Sequence, residues 1–135
     1  MFYSNQRPAP SITEQISLLE FQGSKISFQE IDGKLMVNAT QMARPFNKRP
    51  VDWLKYQQAK DLIKTVSEVI NITSADLQYV KKGGKNQGTW FQKDVALFFA
   101  QWLSPEFYLA CNRKLEELIQ QQALLLQEPV KYGIE

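Results

Sequence analysis

The sequence predicts an α+β fold: one small domain with an N-terminal antiparallel β-hairpin, a helical core, a second β-hairpin and a long C-terminal helix. Three observations lead there. Strand-like alternation fills residues 16–38 and stops at Asn38-Ala39-Thr40. Apolar residues then recur at helical spacing through Leu62, Ile63, Val66, Val69 and Ile70. Two short apolar stretches around a glycine-rich segment follow, before the pattern returns to helix for the rest of the chain. At 135 residues and 44% hydrophobic content, the chain suits a single ordinary core.

Each element has a local cause. Pro8, Pro10 and Ser11 mark a flexible lead-in over residues 1–15. Ile26 and Phe28 alternate with Ser27 and Gln29, and Asp32-Gly33 supplies the positive φ of a tight turn. Leu35 and Val37 alternate on the return strand. Asn38 is a good N-cap for a helix over residues 39–44, because its side-chain oxygen can accept a free backbone N–H. Pro45 ends that helix, and Arg49-Pro50 starts another that runs to Gln57. Residues 71–76 form a loop between the apolar stripe and the second hairpin. Leu77 to Val80 and Thr89 to Phe91 read as strands, joined by a polar connection from Lys81 to Gly88 that is expected to project as a mobile tip. An apolar helix over residues 94–103 carries Val95, Leu97, Phe98, Phe99 and Trp102. Ser104-Pro105-Glu106 restarts a final helix to about Gln127. The expected divisions are a domain over 16–112, then a C-terminal helix and tail over 113–135.

Charge is unevenly spread. Residues 34–93 hold eleven basic groups against four acidic ones, net +7, between flanks of −2 and −3. Such asymmetry is expected where one surface meets a polyanion. Cys111 is the single cysteine, and histidine is absent, which excludes internal disulfides, multi-cysteine zinc sites and His-dependent catalysis. Asp52, Asp61, Glu68, Asp76 and Asp94 are scattered, without the repeated acids of a metal-dependent nuclease. No catalytic residue, metal or cofactor is expected. No apolar run approaches a membrane helix, and residues 1–10 lack a secretory core, so the expected location is cytoplasmic, and nucleoid-associated if the polyanion is DNA. Cys111 sits at an apolar helix position, where a thiol is ordinarily inert.

Two constellations carry the chemistry. On the helix near residue 50, Val51 and Leu54 share one face, while Arg49, Trp53, Tyr56 and Lys60 fall nearly opposite, flanked by Lys48 and Lys55. Cations, aromatic rings and amides together suit phosphate oxygens, sugars and bases. Trp53 is ambiguous, since a large aromatic is more often a core anchor than an exposed contact. The second constellation is Lys81, Lys82, Gly83, Gly84, Lys85, Asn86 and Gln87. Its lysines supply charge, its glycines let backbone approach a ligand, and its amides can bond base edges or phosphates. Spacing for a nucleotide phosphate loop is absent, and the segment joins strands instead of opening a helix.

Taken in order, several motifs resemble the KilA-N domain of phages and mobile elements, itself distantly similar to the DNA-binding domain of fungal APSES transcription factors. They are Val37-Asn38-Ala39-Thr40-Gln41-Met42-Ala43, Trp53-Leu54, Gly83-Gly84, Gln87-Gly88-Thr89-Trp90, Val95-Ala96 and Gln101-Trp102-Leu103-Ser104-Pro105-Glu106-Phe107, over residues 26–112. The resemblance implies a winged-helix-like grip on duplex DNA. The helix bearing Lys48, Arg49, Lys55 and Tyr56 would work with a wing tip at Gly83 to Gln87. Asn38, Thr40, Thr89 and Trp90 would be scaffold. The chain ends in a helix of its own instead of a recognisable effector domain, which leaves the regulatory output open. A competing reading is a protein-interaction or antirepressor module, in which residues 105–127 dock a partner or second copy through Tyr108, Cys111, Leu115, Leu118 and Leu125. The same stripe could instead simply close the domain's own core. RNA binding fits the charge as well as DNA does.

Overall fold

Two dipeptides with positive φ at both positions, Gln22-Gly23 (51° and 82°) and Asp32-Gly33 (52° and 78°), turn the first part of the chain into three antiparallel strands in the computed structural model. The strands are β1 (Ile16–Phe21), β2 (Ser24–Ile31) and β3 (Lys34–Asn38). The structure describes residues 16–134, with side chains as far as Leu124, so the expected lead-in at 1–15 lies outside the described residues. Sequence reading anticipated the Asp32-Gly33 hairpin and missed the turn before it. Left-handed backbone is uncommon for glutamine, so Gln22-Gly23 is a weak turn signal.

Asn38 caps the next helix as expected: its Oδ1 accepts the Gln41 N–H at 3.0 Å. The helical segments are α1 (Ala39–Ala43), a 3-10 turn at Arg44–Phe46, α2 (Pro50–Leu54) and α3 (Gln57–Ile70). A second 3-10 turn, Ser74–Leu77, then leads into β4 (Gln78–Lys81) and β5 (Gly88–Gln92). The loop expected at 71–76 is therefore partly wound. Leu77 is a buried residue of that turn, not the start of a strand. The chain closes with α4 (Lys93–Leu103) and α5 (Pro105–Ile134). The sheet order is β1-β2-β3-β5-β4, with every neighbouring pair antiparallel.

The register gives the sheet two distinct faces, because side chains alternate along each strand. Phe28 pairs with Val37, and Val37 with Phe91, so these residues share the face packed by the helices. There they meet Met42, Trp53, Ile63, Val66, Phe99, Phe107, Cys111 and Leu115 in one core. Met36, Asn38 and Trp90 lie on the opposite face. Gln92 caps α4 by accepting from the Asp94 and Val95 N–H groups, and Ser104 caps α5 by accepting from Phe107.

Three expectations about the helices are corrected. The helix drawn from Pro50 to Gln57 is broken, since Tyr56 has extended backbone (φ −72°, ψ 140°) and α3 begins after it. Val51 and Trp53 also exchange places. Trp53 is only 4% exposed, with ring centroids 5.7 Å from Phe91 and 5.2 Å from Phe99, whereas Val51 is 46% exposed. In a five-residue helix one large group decides the orientation, and burying an indole removes more apolar area from water than burying a valine. Leu54 does pack against the core. In α3 the stripe holds at Ile63 and Val66 but fails at Val69, which is 77% exposed because it sits off the side that meets α4 and the Ser74–Leu77 turn. The final helix settles the ambiguity of its own stripe in part: Phe107, Cys111 and Leu115 are buried in the domain core, and α5 passes residue 112 without a break.

Candidate nucleic-acid interface

The connection between β4 and β5 is folded back and fastened, not simply projected. Asn86, at φ 61°, is the fastening point. Its backbone oxygen accepts from Trp90 Nε1 (3.0 Å) and Asn38 Nδ2 (3.1 Å), and its side-chain oxygen accepts from Ser27 Oγ (2.9 Å) and Gln41 Nε2 (3.4 Å). Asn38 therefore caps α1 with one end of its amide and holds the tip with the other. Gln41 also ties the loop to β2, accepting the Ser27 N–H at 2.7 Å. Thr40 completes the join through its hydroxyl, which accepts the Thr89 N–H at 3.0 Å. These contacts give Asn38, Thr40, Thr89 and Trp90 the scaffold places that the resemblance implied.

Beyond this anchor, Lys82, Gly83, Gly84, Lys85 and Gln87 are exposed, while Lys81 and Asn86 are half-buried. Gly83 and Gly84 both have φ 74°, and the Gly83 N–H donates to Gln87 Oε1 at 3.1 Å. Lys81 Nζ donates to the Lys85 carbonyl at 2.9 Å. The loop thus keeps its shape with its own polar groups and leaves two ammonium groups, Lys82 and Lys85, turned to solvent.

A second cluster forms where α2, α3 and α4 approach. Lys48, Asp52, Lys55, Tyr56 and Trp102 line an open depression of about 500 Å³. Lys48 Nζ lies 4.3 Å from the centre of the Trp102 ring, a cation–π contact, and the Tyr56 ring is 5.9 Å from Trp102 at 58°. Arg49 is paired with Asp52 at 3.2 Å across an exposed i,i+3 bridge. Such surface bridges contribute little, about 0–1 kcal/mol, so Arg49 is readily released to another anion. Lys60 is exposed one turn into α3.

The structure therefore gathers Lys48, Lys55 and Tyr56 around one depression, sets Arg49 and Lys60 beside them in sequence, and collects Lys81 to Gln87 in a separate loop. Among the described residues no hydrogen bond or ion pair joins the two clusters. Sequence reading missed Trp102 as a surface group, because it lay in an otherwise apolar helix. It also missed the exposed Gln57, Gln58 and Lys64 on the outer side of α3. Their signal was the polar spacing 57, 60, 61, 64, which emerges once the helix is restarted after Tyr56.

Among the described residues there is no group of His, Cys, Asp or Glu able to hold a metal ion, and no helix long and apolar enough to cross a membrane. Burial pushes the Cys111 thiol up to about 12.

Comparison with known proteins agrees with this architecture. The KilA-N domain family matches residues 19–121, most of the chain. A KilA-N domain-containing protein, 006L, of Invertebrate iridescent virus 6 is 37% identical over 82 residues, covering 56% of this chain and 23% of the viral protein. Another, R904 of Acanthamoeba polyphaga mimivirus, is 23% identical over 124 residues, covering 88% of this chain and 36% of its own length. The chain thus spans only 23% and 36% of the lengths of these two relatives. No solved structure matches it.

Proposed function

The chain belongs to the KilA-N family, whose domain is generally regarded as DNA-binding and non-catalytic, and from that premise we propose that it binds duplex DNA through both basic clusters. Lys48, Arg49, Lys55, Tyr56 and Lys60 form the helical side of the grip, and Lys81, Lys82, Gly83, Gly84, Lys85, Asn86 and Gln87 form the wing. The observation that carries the reading is the loop's construction. Lys82 and Lys85 face solvent while Asn86 ties the loop's base to β2, β3 and α1. A basic loop with no ligand needs no such anchoring, whereas one that meets a polyanion gains from being held in place, because less ordering remains to be done on binding.

Affinity comes from phosphate neutralisation and counterion release. If five or six phosphates are neutralised, log K falls against log salt with a slope of about −5. Gln87 and the outer groups of the helical cluster supply sequence preference. Asn86, half-buried and bonded inward, acts chiefly by positioning the loop. The test is a salt titration on a duplex selected from a random library, with an RNA duplex of the same sequence as competitor. Lys85→Gln lowers affinity for every sequence and reduces the slope by about one. A salt-independent affinity refutes the proposal, and equal competition by RNA refutes its DNA specificity.

Its biological setting is a viral or mobile-element regulator. A partner-docking role for residues 105–127 would fall to the exposed Leu109, Ile119 and Leu124, since the remaining apolar groups described there are largely committed to the core.

A further inference from the structure

We infer that the depression lined by Lys48, Asp52, Lys55, Tyr56 and Trp102 is a pocket for a single unstacked nucleotide, selective for a base with an exocyclic amino group. The inference rests on the nucleic-acid reading and extends it from the duplex to an unpaired strand. The depression's volume, about 500 Å³, falls within the range of small-ligand sites. Its walls are two aromatic rings meeting at 58°, Trp102 and Tyr56. Phe99 stacks behind Trp102 from the core side at 20°, which fixes the indole plane. Bases inside a duplex have their faces covered by their neighbours and offer only edges in the grooves. Two aromatic rings at the surface, one of them covered only by a lysine, therefore find their natural partner in a base that has left the stack.

Lys48 covers the open face of Trp102 in the free protein. An exposed cation–π contact shifts an equilibrium by roughly two- to fivefold, whereas base–aromatic stacking is worth roughly fivefold to a hundredfold. The base therefore displaces the ammonium, which with Lys55 is left beside the nucleotide's phosphate. Asp52 is the one acid in this otherwise cationic rim. A carboxylate weakens attraction to a phosphate backbone, but it can accept from the amino group of cytosine or adenine, whereas thymine's single donor, N3–H, lies between two carbonyl oxygens that repel the carboxylate. Its bridge to Arg49 uses one lone pair on each oxygen and leaves others free.

The structure also supplies the probe. Of the three tryptophans, Trp53 and Trp90 are buried and Trp102 is half-exposed, so quenching of tryptophan fluorescence reports the pocket. The titration uses oligo(dC), oligo(dT), free dCMP and a duplex against the whole chain. The expected result is quenching by oligo(dC) with affinity about tenfold above oligo(dT). Asp52→Asn collapses that ratio towards one, and Trp102→Phe removes the quenching. Urea transitions of both variants check that they are folded, and the exposed Asp52 site stands alone if Trp102→Phe is not. Quenching by dCMP as strong as by oligo(dC) overturns the assignment to a strand. Normal duplex binding without quenching by oligo(dC), or a dC/dT ratio unchanged by Asp52→Asn, overturns the pocket and leaves the duplex reading standing. Failure of every nucleic acid to bind overturns both.

Discussion

Gly88→Ala should be the most damaging single methyl group that can be added to the wing. Gly88 begins β5 with φ 131°, a region open to glycine and strained for every residue with a Cβ. A Cβ there would also lie 2.6 Å from Thr40 Oγ1, 2.8 Å from Thr40 Cβ and 3.3 Å from Asn38 Oδ1. Neither neighbour can simply step aside. The Thr40 hydroxyl accepts from Thr89, and Asn38 Oδ1 is the cap of α1. Backbone strain of about 1–3 kcal/mol and overpacking of about 1–3 kcal/mol combine to a loss near 4 kcal/mol. Gly83→Ala is the control. Gly83 also has positive φ, 74°, but an added Cβ meets nothing within 4 Å, so it carries only the left-handed cost of about 1–2 kcal/mol. Equilibrium urea unfolding separates the two. With an m-value of about 2 kcal/mol/M, Gly88→Ala lowers the midpoint by about 2 M and Gly83→Ala by less than about 1 M. Equal shifts, or a loss below about 1 kcal/mol for Gly88→Ala, would show that the wing is not locked against Thr40 and Asn38 as described.

Four other outcomes follow from the same packing. Asn86→Gly keeps the positive φ but strips the acceptor used by Ser27 and Gln41; urea unfolding should show a loss of about 1–3 kcal/mol, and DNA affinity should fall with the salt slope unchanged because no phosphate contact is removed. Cys111 should resist alkylation in the native state at pH 8, where a thiol titrating at about 12 is almost wholly protonated, and react fully in denaturant. By linkage, the stability tied to that raised value is complete below pH 9 and lost as pH rises towards 12, so the urea midpoint should fall over that window. Truncation after Asn112 removes the buried Leu115 and should unfold or severely destabilise the domain in a thermal melt; a cleaved chain of unchanged stability would assign α5 to a partner instead.

Features set by neighbouring residues were legible in the sequence. Asp32-Gly33 turns, Asn38 caps and Ser104-Pro105 restarts because each acts on backbone within a few positions of itself. The long final helix and the two strands of the wing were equally plain. What escaped depends on distant parts of the chain. No proline or glycine marks the break at Lys55-Tyr56, and without it Val51 took the inward place that Trp53 occupies against Phe91 and Phe99. The same break hides the outer side of α3, with Gln57, Gln58 and Lys64. The basic candidates of the site were visible by type, and Lys48, Lys55 and Tyr56 do share one depression. Trp102 was concealed by its apolar neighbours. Asn86 looked like a free amide at a tip, and its inward bonds to Ser27, Gln41 and Trp90 come from residues 4 to 59 positions away.

Backbone amide NMR during titration with a selected duplex tests most directly whether the two basic clusters serve one ligand. Amides of residues 48–60 and 82–87 should shift together, saturating at the same DNA ratio, while the Asp32-Gly33 turn stays unmoved. Shifts confined to one cluster, or centred on that turn, would contradict a two-sided grip.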